Sequence, residues 1–405
     1  MDKINILGIN VTKLSRREAI ENVKFFLSSN KQHQIVTPNP EIILNAIGND
    51  EELFYILNHA DLAVPDGFGL NCAAWAMFKN LHRVAGSDLI LDILKIAEKN
   101  NKKALVLVWD KGLSSAQDIE IILKQKFSNL DVLVKEIDRR GETINFTEVN
   151  DFKPDLVITG LGAPWQEKFN FHNLKNIPSA KLAIGVGGSF DFLTGKIKRA
   201  PKVMKFIGLE WVWRALNQPK GGRIERLKRI YKAVIVFPLK FIRWFFILPF
   251  FYRKNVACLL YKREGDKIYA LIVEREYSPG NWQLPQGGRD DQSIIETGER
   301  ELKEEINNNL FKTKKSYRKV ARYKFCDKKN GKYCYKYWGY KGQKQDLYIA
   351  EFIGQDSDIK LNYWEHINWR WVDIDKLVAE VSSRRKEATE KFYKLFKDYI
   401  SKNLQ

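Results

Sequence analysis

The first half of the chain alternates short apolar runs with stretches of helical character, and this alternation strongly constrains the fold. Five runs end in glycine, proline, asparagine or aspartate: QIVTPNP, ADLAVPDG, KKALVLVWDKG, PDLVITGLG and KLAIGVGG. Helical patterns such as 87–99 and 114–127 separate them. The alternation predicts an α/β domain with a parallel sheet and helices on both faces. Ligands of such sheets bind beyond the carboxyl ends of the strands, where the polar loop residues of this half fall.

The bulk composition indicates two folded domains and an anionic partner. A chain of 405 residues is too long for one ordinary core, and 44% hydrophobic with 29% charged residues is typical of a globular protein. The net charge of +19 favours phosphate-bearing substrates, nucleic acid or a membrane surface. Four scattered cysteines and an N-terminus without a charged and then apolar leader predict a reducing cytoplasmic location.

Much of the positive charge is concentrated in one segment, 217–254, with ten Lys or Arg against one acid, Glu225. The same segment carries the apolar run AVIVFPLKFIRWFFILPFF, which Lys240 and Arg243 interrupt and two prolines break. We expect a basic amphipathic helix lying at an anionic membrane surface. A buried inter-domain helix and a transmembrane span are the alternatives. The predicted boundaries are 1–216 for a Rossmann-like domain, 217–254 for this appendage, and 255–405 for a second, α+β domain.

The loop motifs of the first domain resemble one family. TPNPE, PDGFG, RVAGSD, GLGAPWQEKF, GVGGSFDFLTGKIKRAP and GLEWVWRALNQP are similar in order and spacing to the TagA/WecG/CpsF glycosyltransferases (family 26), from about Ile4 to Arg229. The resemblance implies an inverting transfer of an N-acetylmannosamine-type sugar from UDP. It implies an undecaprenyl-diphosphate-linked acceptor, no metal in this domain, and a basic appendage that places the protein peripherally at the cytoplasmic face of a bacterial membrane.

The same resemblance assigns the candidate residues of this domain. By match to PDGFG, Asp66 is the base that deprotonates the acceptor hydroxyl; a turn aspartate between proline and glycine is the alternative. The other candidates bind substrate. Thr37 and Asn39 position sugar or acceptor, Arg83, Gln166, Gly187 and Gly188 contact nucleotide or diphosphate, and Arg214 and Arg223 close over the leaving group.

Three carboxylates in the second domain share one predicted helix face. Glu301, Glu304 and Glu305 stand at i, i+3 and i+4, and the glycine loop WQLPQGG precedes them. Like charges so placed repel each other unless a cation neutralises them, and a hard divalent ion such as Mg²⁺ fits oxygen ligands. A solvated acidic face is the alternative.

Together these segments resemble the Nudix box, and the resemblance covers about Asn255 to Phe396. The GQKQ stretch and the Trp364–Glu365–His366 triplet are similar to the RNA pyrophosphohydrolase and dinucleoside polyphosphate hydrolase branch. The resemblance implies a Nudix fold with Mg²⁺ held by Glu301, Glu304, Glu305 and Glu365. Glu304 and Glu365 are the catalytic candidates, Glu365 as a further ligand or as the base that activates water. Arg289 and Lys344 are the candidates for phosphate contacts.

This box departs from the family pattern in two places. Between Gly287 and Arg300 there are 12 residues where the box has 13, and Gln292 stands where the box has glutamate. A glutamine accepts a hydrogen bond but makes no ion pair, so Arg300 is expected to be less firmly held. Three interpretations of the second domain are therefore open. It is a Mg²⁺-dependent diphosphate hydrolase fused to the transferase, an inactive nucleotide-binding module, or an enzyme that acts on RNA 5′ ends independently of the transferase.

Overall fold

The chain forms two compact units, residues 1–243 and 244–405. The computed structural model describes residues 1–48, 50–198, 201, 204, 213, 223–276, 278–289, 291–325 and 339–403, and for 223–226 it describes the backbone alone.

A six-stranded sheet, with every neighbouring pair parallel, forms the centre of the first unit. Its strand order is β4–β3–β8–β7–β5–β6, beside a separate β1–β2 hairpin. The strands are β1 Lys3–Ile6, β2 Ile9–Thr12, β3 His33–Val36, β4 Leu62–Ala63, β5 Ala104–Trp109, β6 Val132–Ile137, β7 Leu156–Gly160 and β8 Leu182–Gly185. The predicted parallel sheet is therefore confirmed, and β3, β4, β5, β7 and β8 are the five predicted runs.

Helices cover both faces of this sheet. They are α1 Arg16–Ser28, α2 Pro40–Gly48, α3 Glu51–His59, α4 Phe68–Ala76, α5 Gly86–Lys99, α6 Ala116–Lys126, α7 Phe146–Phe152, α8 Trp165–Asn173 and α9 Ser189–Leu193. Capping boxes at Ser15–Glu18 and Ser115–Asp118 fix the starts of α1 and α6. Alternate residues of β5 enter opposite cores, Val106 on the side of α1 and α5 and Leu107 on the side of α7 and α8.

A long helical segment follows and packs on the first unit through two aromatic side chains. It comprises α10 Arg223–Tyr231, a π-helical stretch Lys232–Val236, α11 Phe237–Ile242 and a second π-helical stretch Arg243–Ile247. Phe237 and Phe241 are buried, and α11 contacts α2 and α4. The ring of Phe237 lies 3.7 Å from where a β-carbon on Gly69 of α4 would stand.

The second unit is a mixed sheet between two helices. Its strands are β9 Tyr252–Glu264, β10 Lys267–Arg275, β11 Trp282–Gln283, β12 Gln286–Gly288, β13 Phe311–Lys324, β14 Gly342–Phe352 and β15 His366–Asp373. Its helices are α12 Ile294–Ile306, α13 Leu377–Glu380 and α14 Lys386–Asn403. The order is β11–β10–β9–β14–β13, with β12 on β9, β15 on β10, and the β9–β14 pair parallel. The predicted α+β fold is confirmed.

Successive side chains of β9 point to opposite faces of the sheet and so contribute to both hydrophobic cores of this unit. Leu259 faces a cluster with Phe396 of α14, whereas Cys258 faces a cluster with Leu302 of α12. Full burial of a leucine such as Leu302 contributes about 1.5–3 kcal/mol. Helix α12 approaches the sheet closely at Gly298, where a β-carbon would lie 2.3 Å from the Tyr348 ring. The acidic helix is thereby held directly against β14.

Candidate active sites

Two loops that carry predicted residues meet at the carboxyl edge of the parallel sheet. Thr37 follows β3 and Asp66 follows β4, and the Asp66 amide donates to the Pro38 carbonyl at 3.0 Å. A β-carbon on Gly86 would lie 3.7 Å from Asp66 Oδ2 and 3.6 Å from Thr37 Cγ2. The Asp66 carboxylate and the Thr37 side chain therefore face one point at the start of α5.

Asn39 and Arg83 belong to the segments that border this point. Asn39 Oδ1 accepts from the Ile42 amide at 2.9 Å and so caps α2. Arg83 is half-buried in the segment that leads into α5, where the next amide, of Val84, donates to the Pro65 carbonyl at 3.0 Å. The side-chain oxygen of Asn39 thus has a structural role, in addition to the substrate contact predicted for this residue.

Gln166 holds the glycine loop after β8. Its Oε1 accepts from the Gly187 amide at 2.8 Å, and its Nε2 donates to Glu167 Oε1 at 2.8 Å. A β-carbon on Gly185 would lie 2.7 Å from Gln166 Nε2, so only glycine leaves room for this amide. Gln166, predicted to contact nucleotide, is buried with both ends of its carboxamide engaged by protein groups.

Glu167 and Asn170 form a buried polar layer behind that loop. Glu167 Oε2 and both amide atoms of Asn170 have no hydrogen-bond partner among the described residues. The Glu167 carbonyl accepts from Gln34 Nε2 at 3.0 Å. Burial raises the pKa of Glu167 to about 7, opposed by the hydrogen bond from Gln166. Sequence reasoning missed this carboxyl, although it stands inside the quoted motif GLGAPWQEKF.

The remaining candidates of this unit are placed only in part. Gly187 has a φ of +52°, a left-handed conformation that glycine adopts without strain, and Gly188 follows it at the start of α9. Arg214 lies outside the described residues. Arg223 is the first residue of α10, and its side chain lies outside the described part.

In the second unit, the glycine loop and the acidic helix fit each other closely. A capping box between Ser293 and Glu296 starts α12. A β-carbon on Gly287 would lie 1.7 Å from the Glu301 carboxyl group, so this glycine is required for the observed packing. Asn255 Nδ2 donates to the Gly287 carbonyl at 2.7 Å and fixes the loop from β9.

Arg300 is held by several acceptors despite the altered box. Its Nε donates to Gln292 Oε1 at 3.0 Å and its Nη2 to the Gly288 carbonyl at 3.0 Å. It also pairs with Glu301 at 2.6 Å and with Glu304 at 2.7 Å. Gln292 thus accepts a hydrogen bond from Arg300, and two neighbouring carboxylates supply the ion pairs that Gln292 cannot make.

A second group of side chains brings Glu305, Glu365 and His366 together. One donor atom from each lies within 4.8 Å of the others. Glu305 Oε1 accepts from the Gln286 amide at 3.0 Å, while Glu305 Oε2 has no hydrogen-bond partner among the described residues. Burial, followed by the nearby Glu365 and Glu301 carboxylates, raises the pKa of Glu305 well above its usual range. A divalent cation fits this group, because it would neutralise the facing carboxylates and satisfy the unpartnered oxygen.

His366 is the member of this group that sequence reasoning missed. The available signal was its position in the sequence, directly after the predicted ligand Glu365. Burial, and then Arg275, lower the pKa of His366 to about 3, so the ring is neutral at physiological pH.

Three other candidates lie apart from this group. Glu304 is on the exposed side of α12 with Arg300. Arg289, expected to meet phosphate, forms a 2.6 Å ion pair with the buried Asp346 of β14. Lys344 is half-buried on β14, two residues before Asp346 and hence on the same face of the strand.

The sequence matches the WecG/TagA/CpsF glycosyl transferase family over residues 4–248 and the NUDIX domain over residues 251–396. The chain belongs to the WecG/TagA/CpsF family of glycosyltransferases and carries a NUDIX domain after the family region.

Among curated relatives is an N-acetylglucosaminyldiphosphoundecaprenol N-acetyl-beta-D-mannosaminyltransferase of Staphylococcus aureus (strain MRSA252). It is 33% identical over 233 residues, which are 56% of this chain and 89% of that protein. The protein of the same name from strain MW2 is 32% identical over 234 residues, with the same coverage of both chains.

Among solved structures is a C. elegans Ap4A hydrolase binary complex, 19% identical, covering 36% of this chain and 98% of that chain, with a TM-score of 0.27. The E. coli dihydroneopterin triphosphate pyrophosphohydrolase is 16% identical, covering 35% and 97%, with a TM-score of 0.27.

Proposed function

We propose that the first unit transfers an N-acetylmannosamine-type sugar from UDP to a lipid-diphosphate-linked acceptor used in bacterial cell-surface polysaccharide synthesis. The observation that carries this proposal is the Asp66 carboxylate beside Thr37 at the carboxyl edge of the parallel sheet. The names of the S. aureus relatives, which state the sugar and an undecaprenol-diphosphate acceptor, support the substrate class.

The residues around that point have distinct roles in this proposal. Asp66 takes the proton of the acceptor hydroxyl as the new glycosidic bond forms, and the bond from the sugar to UDP breaks. The backbone amide of Gly188 stabilises the departing diphosphate, and Gln166 holds the loop in place through the Gly187 amide. Thr37 and Asn39 orient sugar or acceptor, and Arg83, Arg214 and Arg223 contribute positive charge.

The helical appendage would bring this site to an anionic membrane surface at the cytoplasmic face. The helix Leu227–Phe250 has the length and composition of a membrane span. However, Phe237 and Phe241 in its middle are buried and α11 contacts α2 and α4, which favours a helix lying in the interface over one crossing the bilayer. Its exposed residues combine apolar side chains such as Leu239 with basic ones such as Lys232 and Lys240, as an interfacial helix requires.

For the second unit the proposal is Mg²⁺-dependent hydrolysis of a nucleoside diphosphate linkage. Water attacks a phosphorus atom of the linkage, a bridging P–O bond breaks, and Glu365 accepts the proton of the water. Glu305 and Glu365 would hold the metal, and Glu301 and Glu304, both paired with Arg300 here, would add negative charge beside it. Lys344 meets substrate phosphates, and Arg289 contributes through its pair with Asp346.

One experiment on the full chain separates the two activities. Transfer from UDP-N-acetylmannosamine to a synthetic lipid-diphosphate-linked N-acetylglucosamine is measured with Mg²⁺ and with a chelator. Hydrolysis is measured in parallel on capped RNA, dinucleoside polyphosphates and UDP-sugars. We expect the chelator to abolish hydrolysis and to leave transfer within about twofold, since only the second site uses a metal. Absence of transfer under both conditions would contradict the transferase proposal.

Variants within one helix test the hydrolase site. Glu305→Gln removes a buried carboxylate, whereas Glu299→Gln makes the same charge change on the exposed side of α12. The proposal requires the first variant alone to lose hydrolysis. If no substrate turns over but nucleotides still stabilise the chain against heat, the second unit is a binding module. Turnover of RNA 5′ ends alone would favour an independent RNA enzyme.

A further inference from the structure

The metal group of the NUDIX unit contains a nitrogen donor in addition to carboxylate oxygens. Donor atoms of Glu305, Glu365 and His366 all lie within 4.8 Å of one another. This upper limit is slightly more than twice the usual bond length to a small divalent ion, about 2.0–2.2 Å, so small side-chain shifts would let all three atoms bind one ion. Neither Glu301 nor Glu304 belongs to this group, and both carboxylates pair with Arg300.

The His366 side chain is buried. It is 2% exposed, and neither Nδ1 nor Nε2 has a partner among the described residues. Leaving a buried polar atom unsatisfied costs about 1–3 kcal/mol, so an imidazole with two such atoms needs an explanation. A bound metal ion satisfies one ring nitrogen directly and explains why the ring faces two carboxylates.

A β-bulge turns His366 toward the acidic helix. In the β10–β15 pair, Glu274 is opposite Asn368 and Arg275 is opposite His366, so Ile367 is the extra residue. Trp369 and Trp371 pack on the α12 side of the sheet. Regular alternation from them would place Ile367 on that side, but Ile367 is instead 44% exposed and His366 faces Glu305.

We propose that His366 is a metal ligand, and that the NUDIX unit holds its ion in a mixed nitrogen and oxygen site with Glu305 and Glu365. This inference rests on the metal-dependent function proposed above and changes the expected ion. All-oxygen sites suit Mg²⁺, whereas an imidazole raises the relative affinity for first-row transition ions. The site therefore selects an ion of the Mn²⁺ class over Mg²⁺.

The test measures Mn²⁺ binding to the full chain, without substrate and without turnover. After chelator treatment and dialysis, Mn²⁺ is titrated and followed by electron paramagnetic resonance, and pulsed measurements detect ¹⁴N coupled to the bound ion. The variant is His366→Gln. The matched control is His59→Gln, an exposed histidine of the first unit that stacks on Tyr55.

We expect one strong Mn²⁺ site with ¹⁴N coupling in the wild type and in His59→Gln. In His366→Gln the coupling should disappear and Mn²⁺ affinity should fall at least about tenfold, with a smaller change for Mg²⁺ in competition. Persistence of the coupling in His366→Gln would overturn the assignment.

The wild-type spectrum tests the proposal even if the variant does not fold. Bound Mn²⁺ without ¹⁴N coupling would overturn the histidine ligand and leave the all-oxygen Mg²⁺ centre standing. Absence of any Mn²⁺ binding would overturn both this inference and the proposed metal-dependent hydrolase. The two failures are therefore distinguishable.

Discussion

Gln292 Oε1 accepts a hydrogen bond from Arg300 Nε at 3.0 Å, at the position where the Nudix pattern has a glutamate. Arg300 meets the carboxylates of Glu301 and Glu304 as well. The guanidinium is therefore oriented without the usual partner. The altered box thus keeps the contact between the loop and the acidic helix.

Restoring the glutamate should change little. Gln292 is exposed, and exposed ion pairs contribute about 0–1 kcal/mol. We expect Gln292→Glu to shift the unfolding free energy of the NUDIX unit by less than about 1 kcal/mol, measured by calorimetry with the two units resolved. The hydrolysis rate should stay within about fivefold, because a change of about 1 kcal/mol in the activation free energy corresponds to that factor. A gain of a hundredfold would mean that Gln292 had disabled the site.

Gly287→Ala should damage the same unit by steric overlap. The φ angle of Gly287 is not positive, so alanine causes no backbone strain there. The damage would come from its β-carbon, which would lie 1.7 Å from the Glu301 carboxyl group. Overpacking of this kind costs about 1–3 kcal/mol, and calorimetry together with hydrolysis should show both lower stability and lower turnover. The control is Gly48→Ala, where a β-carbon meets nothing within 4 Å. Full activity of Gly287→Ala would contradict the observed position of Glu301.

Glu167 predicts a pH dependence of the stability of the first unit. Its pKa is raised from 4.5 to about 7, so between these values the folded state retains a proton that the unfolded state has lost. Stability therefore falls as pH rises from about 4.5 to about 7 and is level above that range. The rise in pKa corresponds to roughly 3 kcal/mol.

Glu167→Gln removes this titration and keeps an acceptor for Gln166 Nε2. We expect the variant to be more stable than the wild type at pH 8, and the difference to shrink toward pH 5, in denaturant unfolding of the first unit. Glu120→Gln, on the exposed side of α6 with Lys124, is the matched control and should show no such difference. Equal pH profiles of wild type and Glu167→Gln would contradict the buried state of this carboxyl.

Two residues of the appendage should respond in opposite ways. Phe237 is 1% exposed on α11, and Phe237→Ala should cost about 3–5 kcal/mol. Leu239 is 62% exposed, so Leu239→Asp should change stability by less than about 0.5 kcal/mol but weaken binding to anionic phospholipid vesicles in flotation. Unchanged flotation of Leu239→Asp would argue against an interfacial face that includes this residue.

The sequence was sufficient for the parallel sheet and for placing Asp66 in the loop after β4, because the strands are strongly apolar and end at glycine, proline or aspartate. It did not predict β6, because only two of its six residues are buried and the strand includes Lys135 and Glu136. The sequence analysis also assigned no functional role to Glu167 or His366. The Glu167 backbone contacts Gln34, which is distant in the chain, and the direction of the His366 side chain depends on a β-bulge. The pair between Arg289 and Asp346 joins residues 57 positions apart, which local patterns do not encode.

The most direct test of the account is sugar transfer by Asp66→Asn beside Asp110→Asn in the full chain. Asn keeps the preference for a turn between Pro65 and Gly67 but cannot accept the proton. Asp110 is an exposed aspartate after β5 at the same edge of the sheet, so it controls for the loss of one negative charge there. We predict that Asp66→Asn lowers the transfer rate by about 10²–10⁴-fold with donor binding retained, and that Asp110→Asn stays within about twofold. Full transfer by Asp66→Asn would contradict the assignment of Asp66 as the base.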